Sequence, residues 1–131
     1  MIVCSADKSG QVLTISYSQH VTVDEMKRFS RTIRQTLKEV KPGFFLLTDL
    51  TSLESMDASC ASDLGAVMDL CCASGMSTVV RVIPDPYKEI GFNLISRFHL
   101  QPQTKMQTHV NLAEAIKSLL AEQIPMDVAP A

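Results

Sequence analysis

The chain has 131 residues, 46% hydrophobic and 20% charged, with 12 basic and 14 acidic residues and a formal net charge of −2. That length fits one domain with enough interior to fold without a metal or a disulfide. The small acidic excess argues against a nucleic-acid binder, which needs a basic face, and no apolar run approaches the roughly 20 residues that cross a bilayer.

Met1 to Ser5 lack the charged-then-apolar pattern of a signal peptide, so a cytoplasmic location is the expectation. Ile2 to Ser5 and Gln11 to Tyr17 read as two strands, with Asp7-Lys8-Ser9-Gly10 as the turn of a hairpin. Thr22 and Glu25 then have the spacing of a capping box, with Val21 and Met26 placed for a hydrophobic staple. Met26, Phe29, Ile33, Leu37 and Val40 recur every three or four residues, and Lys27, Arg28, Arg31, Arg34 and Lys38 fall off that stripe as a solvated face. Pro42-Gly43 ends this helix.

Phe44 to Leu47 is a continuous apolar run ending at Thr48-Asp49, the pattern of a central strand covered on both sides. A helix is expected to open at Met56-Asp57-Ala58-Ser59, to bury Ala61, Leu64, Val67, Met68, Cys71 and Cys72, and to stop at Gly75. Thr78 to Ile83 is a β-branched strand. Pro84-Asp85-Pro86 starts a third helix with the stripe Ile90, Leu94, Ile95 and Phe98. Lys105 to His109 reads as a weak edge strand, and Asn111 with Glu114 caps a last helix carrying Ile116, Leu119 and Leu120. The domain is expected over residues 1–121, with 122–131 as a loose tail. Strand, strand, helix and then three strand-helix units define an α/β class. The expected architecture is a mixed, largely parallel sheet of about five strands with about four helices.

The four cysteines (Cys4, Cys60, Cys71, Cys72) form no Cys-x-x-Cys pair and read as reduced, mostly buried thiols. His20, His99 and His109 show no metal-ligand spacing, so no metal and no cofactor is expected. Chemistry concentrates where the central strand ends. Ligands of open α/β sheets gather at carboxyl ends of strands, which is where Asp49 is expected, and a helix start offers unpaired amides and partial positive charge. Asp57 and Ser59 are residues that cap helices, and capping alone accounts for their type.

Leu46-Leu47-Thr48-Asp49-Leu50, followed by Met56-Asp57-Ala58-Ser59-Cys60-Ala61-Ser62-Asp63-Leu64-Gly65, resembles the core signature of the STAS family. That family comprises bacterial anti-sigma factor antagonists and cytoplasmic domains of sulfate transporters. Its signature is a strand ending in Asp-Leu, then an apolar-Asp-Ser-Ser-Gly-Leu-Gly stretch leading into a helix. The element order matches the family from Ile2 to Leu120. The resemblance implies a STAS-like fold and a non-enzymatic regulatory module in bacterial-type signalling, whose partner is an anti-sigma factor or kinase-like regulator. It also implies a switch, because the family's residue after the motif Asp is often a hydroxyl that a partner kinase phosphorylates. Here Ala58 occupies that position and Cys60 replaces the usual glycine. The ordinary switch cannot operate at Ala58, and Ser59 points about 100° further round a helix. The resulting partner-binding or switch surface is Asp49, Asp57, Ala58, Ser59 and Cys60.

Three other readings stand beside this one. A lipid or nucleotide could occupy a cleft at Asp85, Tyr87 and Lys88, with Arg81 adding charge and Met26, Met56, Met68 and Met76 adding adaptable apolar surface. A thiol-dependent enzyme could use Cys60, whose place in a first helical turn favours thiolate, although no histidine lies near it in sequence. Homo-oligomers could form through the hairpin or the weak Lys105–His109 strand at sheet edges.

Overall fold

A computed structural model of the protein describes residues 1–83 and 104–123. The strands are β1 (Ile2–Ala6), β2 (Val12–Val21), β3 (Phe45–Met56), β4 (Thr78–Val82) and β5 (Lys105–His109). The helices among the described residues are α1 (Val23–Thr36), α2 (Ala61–Ala73) and α3 (Leu112–Gln123). Short 3-10 turns cover Leu37–Glu39 and Ala58–Cys60. The strands lie in one sheet in the order β1-β2-β3-β4-β5, with β1 antiparallel to β2 and every other pair parallel.

The β1–β2 hairpin forms because Asp7 organises its turn. Its carboxylate accepts from the Gln11 and Val12 amides at 2.9 and 3.0 Å and from the Ser9 hydroxyl at 2.6 Å. Gly10 is required there: its φ is +73°, and a β-carbon would meet the Glu39 carbonyl at 2.8 Å. The expected capping box at the start of α1 is present in both directions, Glu25 N to Thr22 Oγ1 at 3.2 Å and Thr22 N to Glu25 Oε1 at 3.4 Å.

Alternation along the strands divides the interior into two layers. Leu13, Ile15 and Tyr17 of β2, Leu46 of β3 and Val79 of β4 join Met26, Phe29 and Ile33 of α1 and Leu64, Val67 and Cys71 of α2. The opposite face carries Leu47, Val80 and Val82, covered by Ala115 and Leu119 of α3. Both faces of the central strands are therefore buried, as their unbroken apolar runs require. Met26 and Met76 are core residues in this arrangement.

Two boundaries differ from the sequence expectation. β3 does not stop at Asp49 but continues to Met56, because Leu50 and Leu53 keep pointing into the core and the strand stays paired to β2 after β4 has ended at Val82. Two register shifts, between Ser16 and Ser18 and between Gln19 and His20, let the longer β3 match β2. They also blur the alternation that would have announced the second half. Consequently α2 begins at Ala61, after the 3-10 turn, and not at Met56 to Ser59. The helix expected from Pro84-Asp85-Pro86 lies outside the described residues, and so do 124–131 of the expected tail.

Candidate functional site

The site is built where β2 and β3 end together. Asp57 follows β3 in an extended conformation and is anchored through its amide, which donates to the Val21 carbonyl at 3.0 Å. Its side chain does not cap the helix that follows it. Oδ2 instead accepts from the amide of Val23 at 3.2 Å, the first residue of α1. Of the four amides that a helix start leaves without helical partners, side chains thus satisfy those of Thr22, Val23 and Glu25. The capping role expected for Asp57 is real but is directed to the other helix.

Oδ1 of Asp57 lies 2.9 Å from His20 Nε2, and His20 Nδ1 lies 2.6 Å from Ser55 Oγ. His20 and Ser55 are register partners across the parallel β2–β3 pair, and Asp57 is two residues beyond Ser55. Both relations put side chains on one side of the sheet. The residue before His20, Gln19, has φ +61°. A non-glycine residue held in that region costs roughly 1–3 kcal/mol and marks a conformation imposed by its surroundings. The His20 and Asp57 side chains are 48% and 39% exposed, so the cluster faces solvent.

Beyond it the chain presents Ala58 and Ser59 as an exposed 3-10 turn, whereas Cys60 is completely buried. Burial, and then the nearby Asp57 and Asp63 carboxylates, push the Cys60 thiol above its ordinary value. The expectation that a helix start would favour a Cys60 thiolate is therefore reversed: Cys60 directly precedes α2, but burial and two carboxylates oppose the anion. Cys60 is a plug beneath the turn and not part of its surface.

Asp49 does not join this cluster. It lies in the middle of β3, opposite Val82 of β4, and its Oδ1 accepts from the amide of Thr51 at 3.0 Å and from the Thr51 hydroxyl at 2.5 Å. Eight residues at about 3.3 Å each carry the strand up to roughly 26 Å from Asp49 to Asp57. Arg81, expected to add charge to a ligand cleft, is placed differently. It is buried in β4, with Nη2 donating to Thr108 Oγ1 at 2.8 Å. Asp85, Tyr87 and Lys88 lie outside the described residues.

Sequence reasoning placed His20 and Ser55 in no site. The available signal was the Ser-x-Asp spacing of Ser55 and Asp57, which shares one side of a strand, together with a histidine just before a helix cap. Joining them required the β2–β3 register. A separate groove of about 410 Å³ runs between α1 and α2, lined by Ser30, Arg34, Asp63, Val67 and Asp69 among others. Its two carboxylates against one guanidinium oppose a phosphate or an anionic lipid head. Among the described residues no cluster of three or more His, Cys, Asp or Glu is placed to hold a metal, and no helix is long and apolar enough to cross a membrane.

This α/β unit of five mostly parallel strands, with α1 and α2 on one face, has the SpoIIAA-like fold. Unphosphorylated SpoIIAA, an anti-sigma factor antagonist, matches with a TM-score of 0.62 at 15% identity, over 92% of this chain and 98% of its own. An uncharacterized DUF3478-family protein of Shewanella loihica PV-4, described as having a SpoIIAA-like fold, matches with a TM-score of 0.65 at 15% identity, over 91% and 92% of the two chains. An anti-sigma factor antagonist from Mycobacterium paratuberculosis gives a TM-score of 0.58 at 15% identity, over 92% and 95%. No family model and no curated protein sequence matches the chain.

Proposed function

We propose that this chain is a non-enzymatic regulatory module that binds a protein partner through the exposed turn at Ala58 and Ser59. The observation that carries the reading is the contrast between that turn and its support. Ala58 and Ser59 are exposed, while Asp57 is held by His20 and the Val23 amide and Cys60 is sealed beneath them. A braced, solvent-facing turn costs little ordering entropy when a partner closes on it. The SpoIIAA-like fold supports an anti-sigma factor or kinase-like regulator as that partner, since two of its structural neighbours are anti-sigma factor antagonists. Ala58 has no hydroxyl, so phosphorylation at the position usual in the STAS family cannot regulate this contact. Asp49 belongs to the same strand but contributes its charge at a separate point.

A photo-crosslinking residue at position 58, compared with one at Lys8 in the hairpin turn, tests this in native lysate. Position 58 should capture one regulator of the anti-sigma or kinase-like class that position 8 does not. Equal capture at both positions, or none, would remove the turn from the interface. Incubation of the captured regulator with this chain and a nucleoside triphosphate should leave Ser59 unmodified, and abundant phosphate there would defeat the claim that the usual region is unswitched.

A further inference from the structure

Partner binding at the turn makes no use of the chemistry in the residues that brace it. A carboxylate only accepts hydrogen bonds, so Asp57 requires His20 Nε2 to carry the ring proton. In the neutral ring Nδ1 is then a lone pair, and it lies 2.6 Å from the Ser55 hydroxyl, which donates to it. Asp57 is fixed in this orientation because its second oxygen holds the Val23 amide. A hydroxyl, a base aimed at it and a carboxylate that sets the tautomer of the base are the parts of an activated serine nucleophile. Ser55 is exposed on a strand end, open to the active site of another macromolecule.

We infer that Ser55 is a phosphoryl acceptor of this protein, with His20 as its general base and Asp57 as the residue that positions the base. Ser55 Oγ attacks the terminal phosphorus of a nucleoside triphosphate presented by a protein kinase. The Oγ–P bond forms, the bond to the bridging oxygen breaks, and the nucleoside diphosphate leaves with that electron pair. The hydroxyl proton passes to His20 Nδ1. The product carries nearly two negative charges, two residues before Asp57 and next to the Ala58–Ser59 turn. A partner surface suited to Asp57 alone meets repulsion there, so the modification restores by another residue the switch that Ala58 removes. This consequence for binding rests on the interaction reading above, but the reactivity of Ser55 does not.

Reactivity is tested on the full chain with a fluorophosphonate probe, which phosphonylates a serine by displacing fluoride while the proton goes to the base. Peptide mapping by mass spectrometry should find the label on Ser55, at least about tenfold faster than on any other serine, since a positioned base contributes about 10²–10⁴ in rate. Wild-type chain unfolded in urea should lose that preference. Asp57→Asn is the informative variant. Its amide oxygen can still accept from Val23 and its NH₂ can donate to Nε2, which places the ring proton on Nδ1 and removes the base without removing the brace. Labelling of Ser55 should fall at least about tenfold in Asp57→Asn and in His20→Gln, with the circular dichroism spectrum of Asp57→Asn unchanged. Label absent from Ser55, spread over the serines, or formed in Asp57→Asn at the wild-type rate would overturn the assignment. Ser55 labelling without capture at position 58 would sink the interaction reading alone; capture without Ser55 labelling would sink this one alone.

Discussion

Replacing Asp57 by alanine tests how the end of β3 is tied to the start of α1. The substitution removes two hydrogen bonds, one from the Val23 amide at 3.2 Å and one from His20 Nε2 at 2.9 Å. Loss of a side chain that satisfies a helix-start amide costs about 1 kcal/mol. The His20 contact is close to half exposed, so solvent screening limits it to about 0.2–1 kcal/mol. The expected destabilisation is thus about 1–2 kcal/mol, or a fall in Tm of about 3–8 °C for a domain of this size. Asp57→Asn keeps both contacts with the donor and acceptor roles of the imidazole exchanged, and should cost less than about 0.5 kcal/mol. Urea unfolding followed by far-ultraviolet circular dichroism at neutral pH measures both variants, and equal slopes would show that the change lies in stability. If Asp57→Ala is as stable as the wild type, the two contacts do not brace the site. If Asp57→Asn loses as much as Asp57→Ala, the negative charge matters and the hydrogen-bond account is wrong.

Thr22→Ala breaks the reciprocal cap between Thr22 and Glu25 at the same helix start and should cost about 1 kcal/mol by the same assay, with Thr22→Ser restoring most of it. The alkaline limit of the fold is set by buried acids. Burial, followed by the neighbouring Cys72 and Cys4, pushes the Cys71 thiol up to about 12, and burial raises the Tyr17 hydroxyl in the same direction. Both groups hold their protons more tightly when folded. Their contribution is fully present below the ordinary thiol value of 9.0 and is lost as pH rises from there toward 12, so unfolding should become easier across that window. Tyr17→Phe should flatten the decline in a pH series of urea midpoints, and Cys60 and Cys71 should react with a thiol reagent only after unfolding.

Much of the architecture was legible because it depends on local rules. The capping box at Thr22 and Glu25 satisfies its own helix, so four consecutive residues announce it. The apolar run before Thr48 announced a strand buried on two faces, and Gly75, with φ +93°, ends α2 where only a left-handed residue continues the chain. The Met56-Asp57-Ala58-Ser59 segment reads in sequence as the start of the helix, whereas Ala58–Cys60 form a 3-10 turn and the helix begins at Ala61. The second half of β3 was harder to see. Ser52, Glu54 and Ser55 dilute its pattern, and the two register shifts break the period that identifies a strand.

Sequence alone therefore determined the order of the described strands and helices, the cap of α1 and most of the apolar core, although Arg81 proved buried and Ala61 exposed. Each of these follows from neighbours a few positions apart. The partners of Asp57 were decided only by the tertiary structure. Its carboxylate reaches His20 and Val23, 37 and 34 residues away in the chain, through the pairing of β2 with β3. The same pairing carries β3 past Asp49 and so separates two carboxylates expected at one site. A strand ends where it loses its neighbour, and which neighbour it has is a property of the folded sheet.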